Sequence, residues 1–102
     1  MIRVRWTLQA VEDLEAIQDF IARDSKHYAG VVIEHLLAAV EQLARFPDSG
    51  RVVPELDKSE IREVVRRPYR IVYRHHTDAV VILTVFHAAR RIPNLDPGAD
   101  LI

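Results

Sequence analysis

The spacing of apolar residues changes halfway along the chain, and this change limits the folds that the sequence can adopt. Between residues 8 and 44 apolar residues recur at every third or fourth position, whereas after residue 61 the spacing changes to two, as in Tyr69, Ile71 and Tyr73. The first spacing is typical of an amphipathic helix, and the second is typical of a strand with one buried face. The sequence therefore predicts a helical layer first and a sheet after it.

Two helices are predicted in the first part of the chain, after a short alternating segment, Ile2 to Trp6, that fits a strand. Thr7 is the predicted N-cap of the first helix, and Asp24 or Ser25 is that of the second. The apolar positions of the first helix are Leu8, Val11, Leu14, Ile17, Phe20 and Ile21. Those of the second are Ala29, Ile33, Leu36, Leu37, Val40, Leu43 and Ala44. Because the connection is short, we expect an antiparallel hairpin whose apolar face packs on another layer.

Three further strands are predicted after the helices. Pro47 disfavours helical backbone at the residue before it and Gly50 suits a turn, so the second helix ends near residue 46. The strand candidates cover residues 61–67, 69–75 and 79–87, and a short polar turn joins the last two as a meander. The predicted order is β-α-α-β-β-β, an α+β fold in which the helical hairpin packs on one face of an antiparallel sheet.

Composition and motifs exclude several classes of protein. We expect one domain over residues 1–102, with an irregular C-terminal tail from about residue 90. The chain has no cysteine, its histidines lack metal-ligand spacing, and it carries no phosphate-binding or dinucleotide-binding loop, so no metal and no cofactor is expected. The longest uncharged apolar run, residues 79–86, is too short to cross a bilayer, and the N-terminus lacks an apolar leader. We therefore expect a soluble, cytoplasmic protein without a membrane partner.

Charge is distributed unevenly along the chain. Residues 1–50 hold five basic and eight acidic residues, whereas residues 61–91 hold only Glu63 and Asp78 as acidic residues. The arginines of this second segment are Arg62, Arg66, Arg67, Arg70, Arg74, Arg90 and Arg91. Such asymmetry predicts a surface that attracts a polyanion or an acidic partner, but it does not predict any catalytic activity.

Arginines alternate with apolar residues in two of the predicted strands. In the segment 69–75 the tyrosines face one way, and Arg70 and Arg74 face the other. In the segment before it, Arg62 and Arg66 alternate with Glu63. We expect an arginine row on the sheet face that the helices do not cover, or at its rim, where guanidinium groups are suited to bind phosphate or carboxylate. The alternative is an ordinary solubilising face with local ion pairs.

His87 and Glu63 are the other candidates for chemistry. His87 ends the last strand and precedes two arginines, so it is placed to act as a general acid beside a phosphoryl group. A structural histidine at the edge of the core is the alternative. Glu63 is the carboxylate within the basic strands, and it either pairs with Arg70 across strands or acts as a general base. We favour the pairing.

Four fragments of the sequence resemble the RelE/ParE superfamily of toxins. They are Trp6-Thr7-x-x-Ala10-x-x-Asp13-Leu14, Leu43-x-x-Phe46-Pro47-x-x-Gly50-Arg51, Arg62-Glu63-Val64 with Tyr69-Arg70-Ile71-Val72-Tyr73, and Ile82-Leu83-x-Val85-x-His87-x-x-Arg90. Each fragment alone is weak, and the four together, in this order and spacing, are specific. The resemblance implies the toxin of a bacterial type II toxin-antitoxin system, commonly a plasmid stabilisation protein, that inhibits growth and forms a hetero-oligomer with a cognate antitoxin.

Two activities divide this superfamily, and the resemblance implies that the chain has one of them or is a non-toxic binding module. The ParE-like branch inhibits DNA gyrase and needs no catalytic residue, so the chain is then not an enzyme. The opening fragment and the Phe46-Pro47-x-x-Gly50-Arg51 turn fit this branch better. Residues expected to contact the target or the antitoxin are Arg66, Arg70, Arg74, Arg90 and Arg91.

The RelE-like branch is the alternative, and it implies an endoribonuclease that cleaves mRNA on the ribosome. The resemblance then implies that Arg70 holds the scissile phosphate and that His87 acts as the acid. Arg62 or Glu63 assists deprotonation of the 2′-hydroxyl group. Lysine is scarce and no aromatic residue follows Phe86, which departs from the pattern of this branch.

Overall fold

The computed structural model describes residues 2–95 and Leu101, and it has the predicted α+β architecture. Its elements are β1 (Arg3–Trp6), α1 (Leu8–Ala22), α2 (Lys26–Leu43), β2 (Arg51–Val52), β3 (Ile61–Arg66), β4 (Tyr69–His76) and β5 (Ala79–His87). The two helices pack on one face of a five-stranded sheet. The strand β2 was not predicted, because two residues are too few to show a period.

The sheet has the strand order β1-β5-β4-β3-β2. The strands β3, β4 and β5 form the predicted antiparallel meander and β2 pairs antiparallel with β3, whereas β1 pairs in parallel with β5. The expectation of a wholly antiparallel sheet is therefore wrong at β1. An alternating pattern predicts which face of a strand is buried, but it carries no information about strand direction.

Both helices begin at hydroxyl N-caps. The hydroxyl group of Thr7 accepts from the Ala10 N–H at 3.1 Å, and that of Ser25 accepts from the Tyr28 N–H at 3.0 Å. The N-cap prediction is thus confirmed for Thr7, and Ser25 rather than Asp24 caps α2. Thr7 is buried and its hydroxyl group also donates to the Ile82 carbonyl at 2.9 Å, which fixes the start of α1 on β5.

A second contact fixes α1 on β5 one and a half turns further along the helix. The Asp13 carboxylate accepts a hydrogen bond from the hydroxyl group of Thr84 and another from the Val85 N–H at 3.2 Å. Thr84 lies where the pairing of β4 with β5 shifts by one residue. Such an irregularity re-aims nearby groups, and here the Thr84 hydroxyl group and the Val85 N–H face Asp13 of the helix. This contact gives a structural reason for Asp13 in the fragment Trp6-Thr7-x-x-Ala10-x-x-Asp13-Leu14.

Two apolar clusters lie on opposite faces of the sheet. The first, between sheet and helices, includes the buried residues Leu36, Val40, Leu43, Ile71 and Ile82. The second, on the face away from the helices, comprises Val53, Ile61, Val72, Val81, Leu83 and Phe86, with Leu56, Ile92 and Leu95 packed against it. The outer face is therefore covered in part by the loop after β2 and by the segment after β5. The expectation of an uncovered face is wrong.

Some apolar residues of the predicted helix faces are exposed. Leu8, Phe20 and Leu37 belong to the predicted apolar sets, yet Phe20 retains 66% of its accessible surface and the other two are also exposed. The apolar stripes are wider than the sheet can cover. Among the described residues, neither helix is long and apolar enough to cross a membrane.

The C-terminal tail has no helix or strand over its described part. A turn follows β5, residues 91–95 lack regular structure, and Leu101 forms an isolated bridge with Thr7. The rest of the predicted irregular tail, residues 96–100 and 102, lies outside the described residues.

The turn after α2 is held by a buried tyrosine. The hydroxyl group of Tyr73 donates to the Pro47 carbonyl at 2.7 Å and accepts from the Gly50 N–H at 3.0 Å. Burial raises the pKa of Tyr73, so its phenol remains a neutral donor. A Cβ atom on Gly50 would lie 2.6 Å from the Glu63 carbonyl oxygen and 2.7 Å from the Tyr73 hydroxyl oxygen. Glycine is therefore required here by close approach.

We expect Gly50→Ala to lower the free energy of unfolding by about 1–3 kcal/mol, because the added methyl group overlaps β3 and Tyr73. Gly30→Ala is the matched control, since no atom lies within 4 Å of the position its Cβ would take. Alanine in the interior of α2 should stabilise the protein by roughly 0.5–1 kcal/mol. Urea denaturation measures both changes, and similar values for the two variants would contradict the close-approach argument.

Candidate functional site

The register of the sheet divides the strand arginines between its two faces. Arg62 and Arg66 lie opposite Tyr73 and Tyr69 of β4, which belong to the cluster beneath the helices. Arg70 lies opposite Val65 on the outer face, and Arg74 lies opposite Ile61 on the same face. The expectation of a single arginine row is therefore wrong. Alternation within each strand was predicted correctly, but it does not determine which residues of neighbouring strands share a face.

Arg70 is the buried arginine of the described residues, and its charge is matched by two carboxylates. Its Nε atom lies 2.5 Å from Glu63 Oε1, which confirms the predicted cross-strand pair. Its two terminal nitrogens bind both oxygens of Glu55, at 2.7 and 2.8 Å. The guanidinium group lies 5.0 Å from the centroid of the Phe86 ring, and the side chain is only 10% exposed.

Glu63 is fully buried, and each of its carboxylate oxygens has a cationic partner. Glu63 Oε2 accepts from Arg51 Nε at 2.7 Å, while Glu63 Oε1 contacts Arg70. We call the group Arg51, Glu63, Arg70 and Glu55 the outer ion network. A buried carboxylate costs several kcal/mol of desolvation unless it is paired in this way. The network balances two positive and two negative charges.

Ion pairing holds both Glu55 and Arg70 in their charged forms. The hydrogen bonds from Arg70 lower the pKa of Glu55 from its ordinary value of 4.5 to about 2. The same hydrogen bonds, with those to Glu63, raise the pKa of Arg70. Sequence reasoning did not find Glu55, because it lies in an irregular loop where no period relates it to the strands.

His87 lies on the side of the sheet away from Arg70. The rings of His87 and Tyr69 meet edge to face, with their centroids 5.7 Å apart, and Tyr69 belongs to the cluster beneath the helices. His87 Nδ1 accepts from the Ala89 N–H at 3.0 Å. Arg70 instead contacts Phe86, which belongs to the outer cluster. The strand register thus directs the two side chains to opposite faces, although both residues line one cleft of about 600 Å³ beside the end of β5.

The four candidate catalytic residues separate into two pairs. Glu63 and Arg70 lie on the outer face, whereas Arg62 and His87 lie on the helix-facing side. Arg62 donates to the Gly50 carbonyl at 3.0 Å and so supports the turn after α2. No group of metal-ligating side chains is present in the described part of the chain.

Exposed arginines lie at the rims of the sheet. Arg66 and Arg67 line a groove between α2 and the end of β3, and the Arg66 guanidinium group donates to the Val65 carbonyl at 3.0 Å. Arg90 and Arg91 are exposed just after β5, and Arg90 lines a cleft of about 730 Å³ beside α1 that also contains His87. Arg74 is half-buried on the outer face. The basic segment is thus spread over several surfaces.

Comparison with known proteins identifies relatives over most of the chain. Residues 4–92 match the family model described as ParE toxin of type II toxin-antitoxin system, parDE. The chain is similar to "Putative toxin Y4kP" of Sinorhizobium fredii, with 42% identity over 95 residues, or 91% of this chain and 95% of the relative. It is also similar to "Toxin RelE2" of Caulobacter vibrioides, with 35% identity over 91 residues, or 88% and 99% of the two chains.

A solved structure has the same fold. It is described as "Chromosomal ParDE TA system from P. aeruginosa", and the match has a TM-score of 0.71 and covers 85% of this chain and 96% of that one. The sequence identity is 22%, so this likeness concerns the fold alone.

The low pKa of Glu55 predicts a defined loss of stability in acid. A carboxylate whose pKa is lowered on folding stabilises the protein above its unfolded pKa, and this contribution is lost as the pH falls from about 4.5 toward 2. We expect Glu55→Gln to be less stable than the natural protein at pH 6, with the difference shrinking by pH 3. Urea denaturation at the two values measures this. A difference that stays constant or widens at pH 3 would count against the assignment.

Proposed function

The chain belongs to the ParE toxin family of type II toxin-antitoxin systems, and we propose that it arrests bacterial growth by inhibiting DNA gyrase. The proposed inhibition is a binding event without catalysis, and a cognate antitoxin reverses it. The family match over residues 4–92 supports this proposal, as do the opening fragment and the turn at residues 46–51. The toxin and its target would then meet in the cytoplasm.

The pairing of Arg70 with two carboxylates is the observation that carries the choice between gyrase inhibition and RNA cleavage. A nuclease of the RelE type would need a phosphate-binding arginine and a general acid around one scissile bond. Here Arg70 and His87 line one cleft, but Arg70 is only 10% exposed and its charge is matched by Glu55 and Glu63. This arrangement favours a structural role for Arg70 and supports a non-enzymatic toxin.

The proposed gyrase-binding surface lies at the end of β5. Arg90 and Arg91 are exposed there, and among the described residues neither has a carboxylate partner. The turn that carries them is held by a hydrogen bond from the Arg90 N–H to the His87 carbonyl at 2.9 Å. Two adjacent guanidinium groups on a fixed turn suit an acidic patch on a large partner.

The proposed antitoxin surface lies along α2 and the end of β3. Tyr28 and Leu37 are exposed on α2, and Arg66 and Arg67 line the groove between this helix and β3. The strand β2 pairs only with the first half of β3, so the outer edge of β3 is free beyond Glu63 within the described residues. An acidic, amphipathic antitoxin segment can use apolar anchors, ion pairs and strand addition there. Arg74 remains a predicted contact of the same partner.

Supercoiling by purified gyrase tests the proposed function. We expect the toxin to abolish supercoiling and the antitoxin to restore it. The variant Arg90→Glu/Arg91→Glu should require at least roughly tenfold more protein for the same inhibition, because two attractive charges become repulsive. The variant Arg3→Glu/Arg45→Glu is the matched control, since it makes the same change in net charge at exposed positions elsewhere.

Two results would contradict gyrase inhibition. Normal supercoiling together with codon-periodic cuts in ribosome-bound mRNA would favour the RelE-like endoribonuclease. Normal supercoiling together with intact mRNA would leave a binding module without toxic activity.

A further inference from the structure

Four residues of α2 that the sheet does not cover lie on one stripe of the helix. Lys26, Gly30 and Glu34 follow one another at intervals of four residues, and Leu37 comes three residues later, so all four share one face. Leu37 is 40% exposed. The groove between α2 and β3 is lined by other residues of the helix. We call these four residues the α2 stripe.

Glycine at position 30 weakens α2 without a benefit inside the chain. It lies in the interior of the helix, and no other part of the chain lies within 4 Å of the position its Cβ would take. Glycine inside a helix costs about 0.8–1 kcal/mol relative to alanine. A glycine on a helix surface allows another backbone to approach closely. The open space beside Gly30 therefore fits a second helix.

Two unpaired charges flank Gly30 symmetrically. Lys26 precedes it by four residues and Glu34 follows it by four. Both side chains are exposed, and neither forms an ion pair with a described residue. They are too far apart along the helix to pair with each other, because only side chains three or four residues apart meet. Lys26 also opens α2, where the helix macrodipole favours anions over cations.

A two-fold axis at Gly30 satisfies these features together. Two copies of α2 that cross antiparallel at this glycine place Lys26 of each copy against Glu34 of the other, so the same ion pair forms twice. Leu37 of each copy then lies against residues 23–25 of the other, which connect the two helices. Such self-complementarity is what an isologous interface requires. An acidic antitoxin segment would meet Lys26 but would be repelled by Glu34, whereas a second copy matches both charges.

We propose that the free protein forms a symmetric dimer through the α2 stripe, with the two helices crossing antiparallel at Gly30. The pairs of Lys26 with Glu34 fix the direction and register of the crossing. Exposed ion pairs contribute little to affinity, so the dimer is weak and forms at micromolar concentrations. Leu37 also belongs to the proposed antitoxin surface, so the dimer and the antitoxin complex exclude one another at this residue.

Sedimentation equilibrium of the protein alone, over a series of micromolar concentrations at low salt, tests the proposal by a swap of charges. Lys26→Glu and Glu34→Lys each turn both ion pairs into repulsions, so each should weaken the dimer at least roughly tenfold. The double variant restores both pairs in reverse, so its dissociation constant should lie within about threefold of the natural value. Lys58→Glu and Glu60→Lys are the matched controls, since these exposed loop residues undergo the same changes of charge.

Gly30→Gln is a variant that separates dimerisation from folding. In the monomer the added side chain meets open space, and glutamine forms helix better than glycine, so the variant should be folded and more stable. In the dimer two such side chains meet at the crossing, so association should weaken at least roughly tenfold. The gain in stability expected for Gly30→Ala is likewise a property of the monomer.

Three outcomes would overturn the proposal. They are a natural protein that stays monomeric, a double variant that dimerises as weakly as the single variants, and Gly30→Gln dimerising as tightly as the natural protein. A monomeric natural protein whose antitoxin complex is weakened by Lys26→Glu would assign the α2 stripe to the antitoxin instead. Circular dichroism verifies that each variant is folded. Dimerisation is measured without gyrase, so its result is independent of the proposed function.

Discussion

The buried carboxylate of Glu63 is the constraint on which the outer half of the sheet depends. An ionised carboxylate without water is stable in a fold only when its oxygens meet cationic or hydrogen-bonding partners. Arg51 supplies one partner from β2 and Arg70 supplies the other from β4, so one side chain of β3 ties together three neighbouring strands. Arg70 then extends the connection to Glu55 and its loop. These pairs give a physical reason for Arg51 and Arg70, which belong to two of the four fragments that resemble the superfamily.

This role of Glu63 changes how the basic segment relates to function. The arginine in the middle of the sheet is matched by carboxylates, and the arginines with solvent-facing charge lie at the rims, at Arg66 and Arg67 and at Arg90 and Arg91. We propose that recognition by this toxin depends on exposed rim surfaces, while the centre of the sheet supplies rigidity. In this ParE-family chain the ion pairs of Arg70, a candidate catalytic residue, thus have a structural explanation.

Much of the fold was predictable from the sequence, because it depends on local patterns. The N-cap at Thr7, both helices and the three strands of the meander follow from spacing and turn residues, with the strand boundaries correct to within one residue. The phase of β3 relative to β4 was not predictable, because the two-residue connection between them decides it. Glu55 joins the site through a contact made only by the folded loop, so no sequence pattern pointed to it.

A double-mutant cycle between Glu63 and Arg70 tests the central claim most directly. Glu63→Met leaves the buried Arg70 with Glu55 as its remaining anion, and Arg70→Met leaves the buried Glu63 with Arg51 as its remaining cation. Each variant should therefore lower the free energy of unfolding by up to about 3–5 kcal/mol. The double variant removes both charges, and we expect it to lose much less than the sum, with a coupling of at least roughly 2 kcal/mol. Effects that add to within about 0.5 kcal/mol would show that the two residues do not stabilise one another.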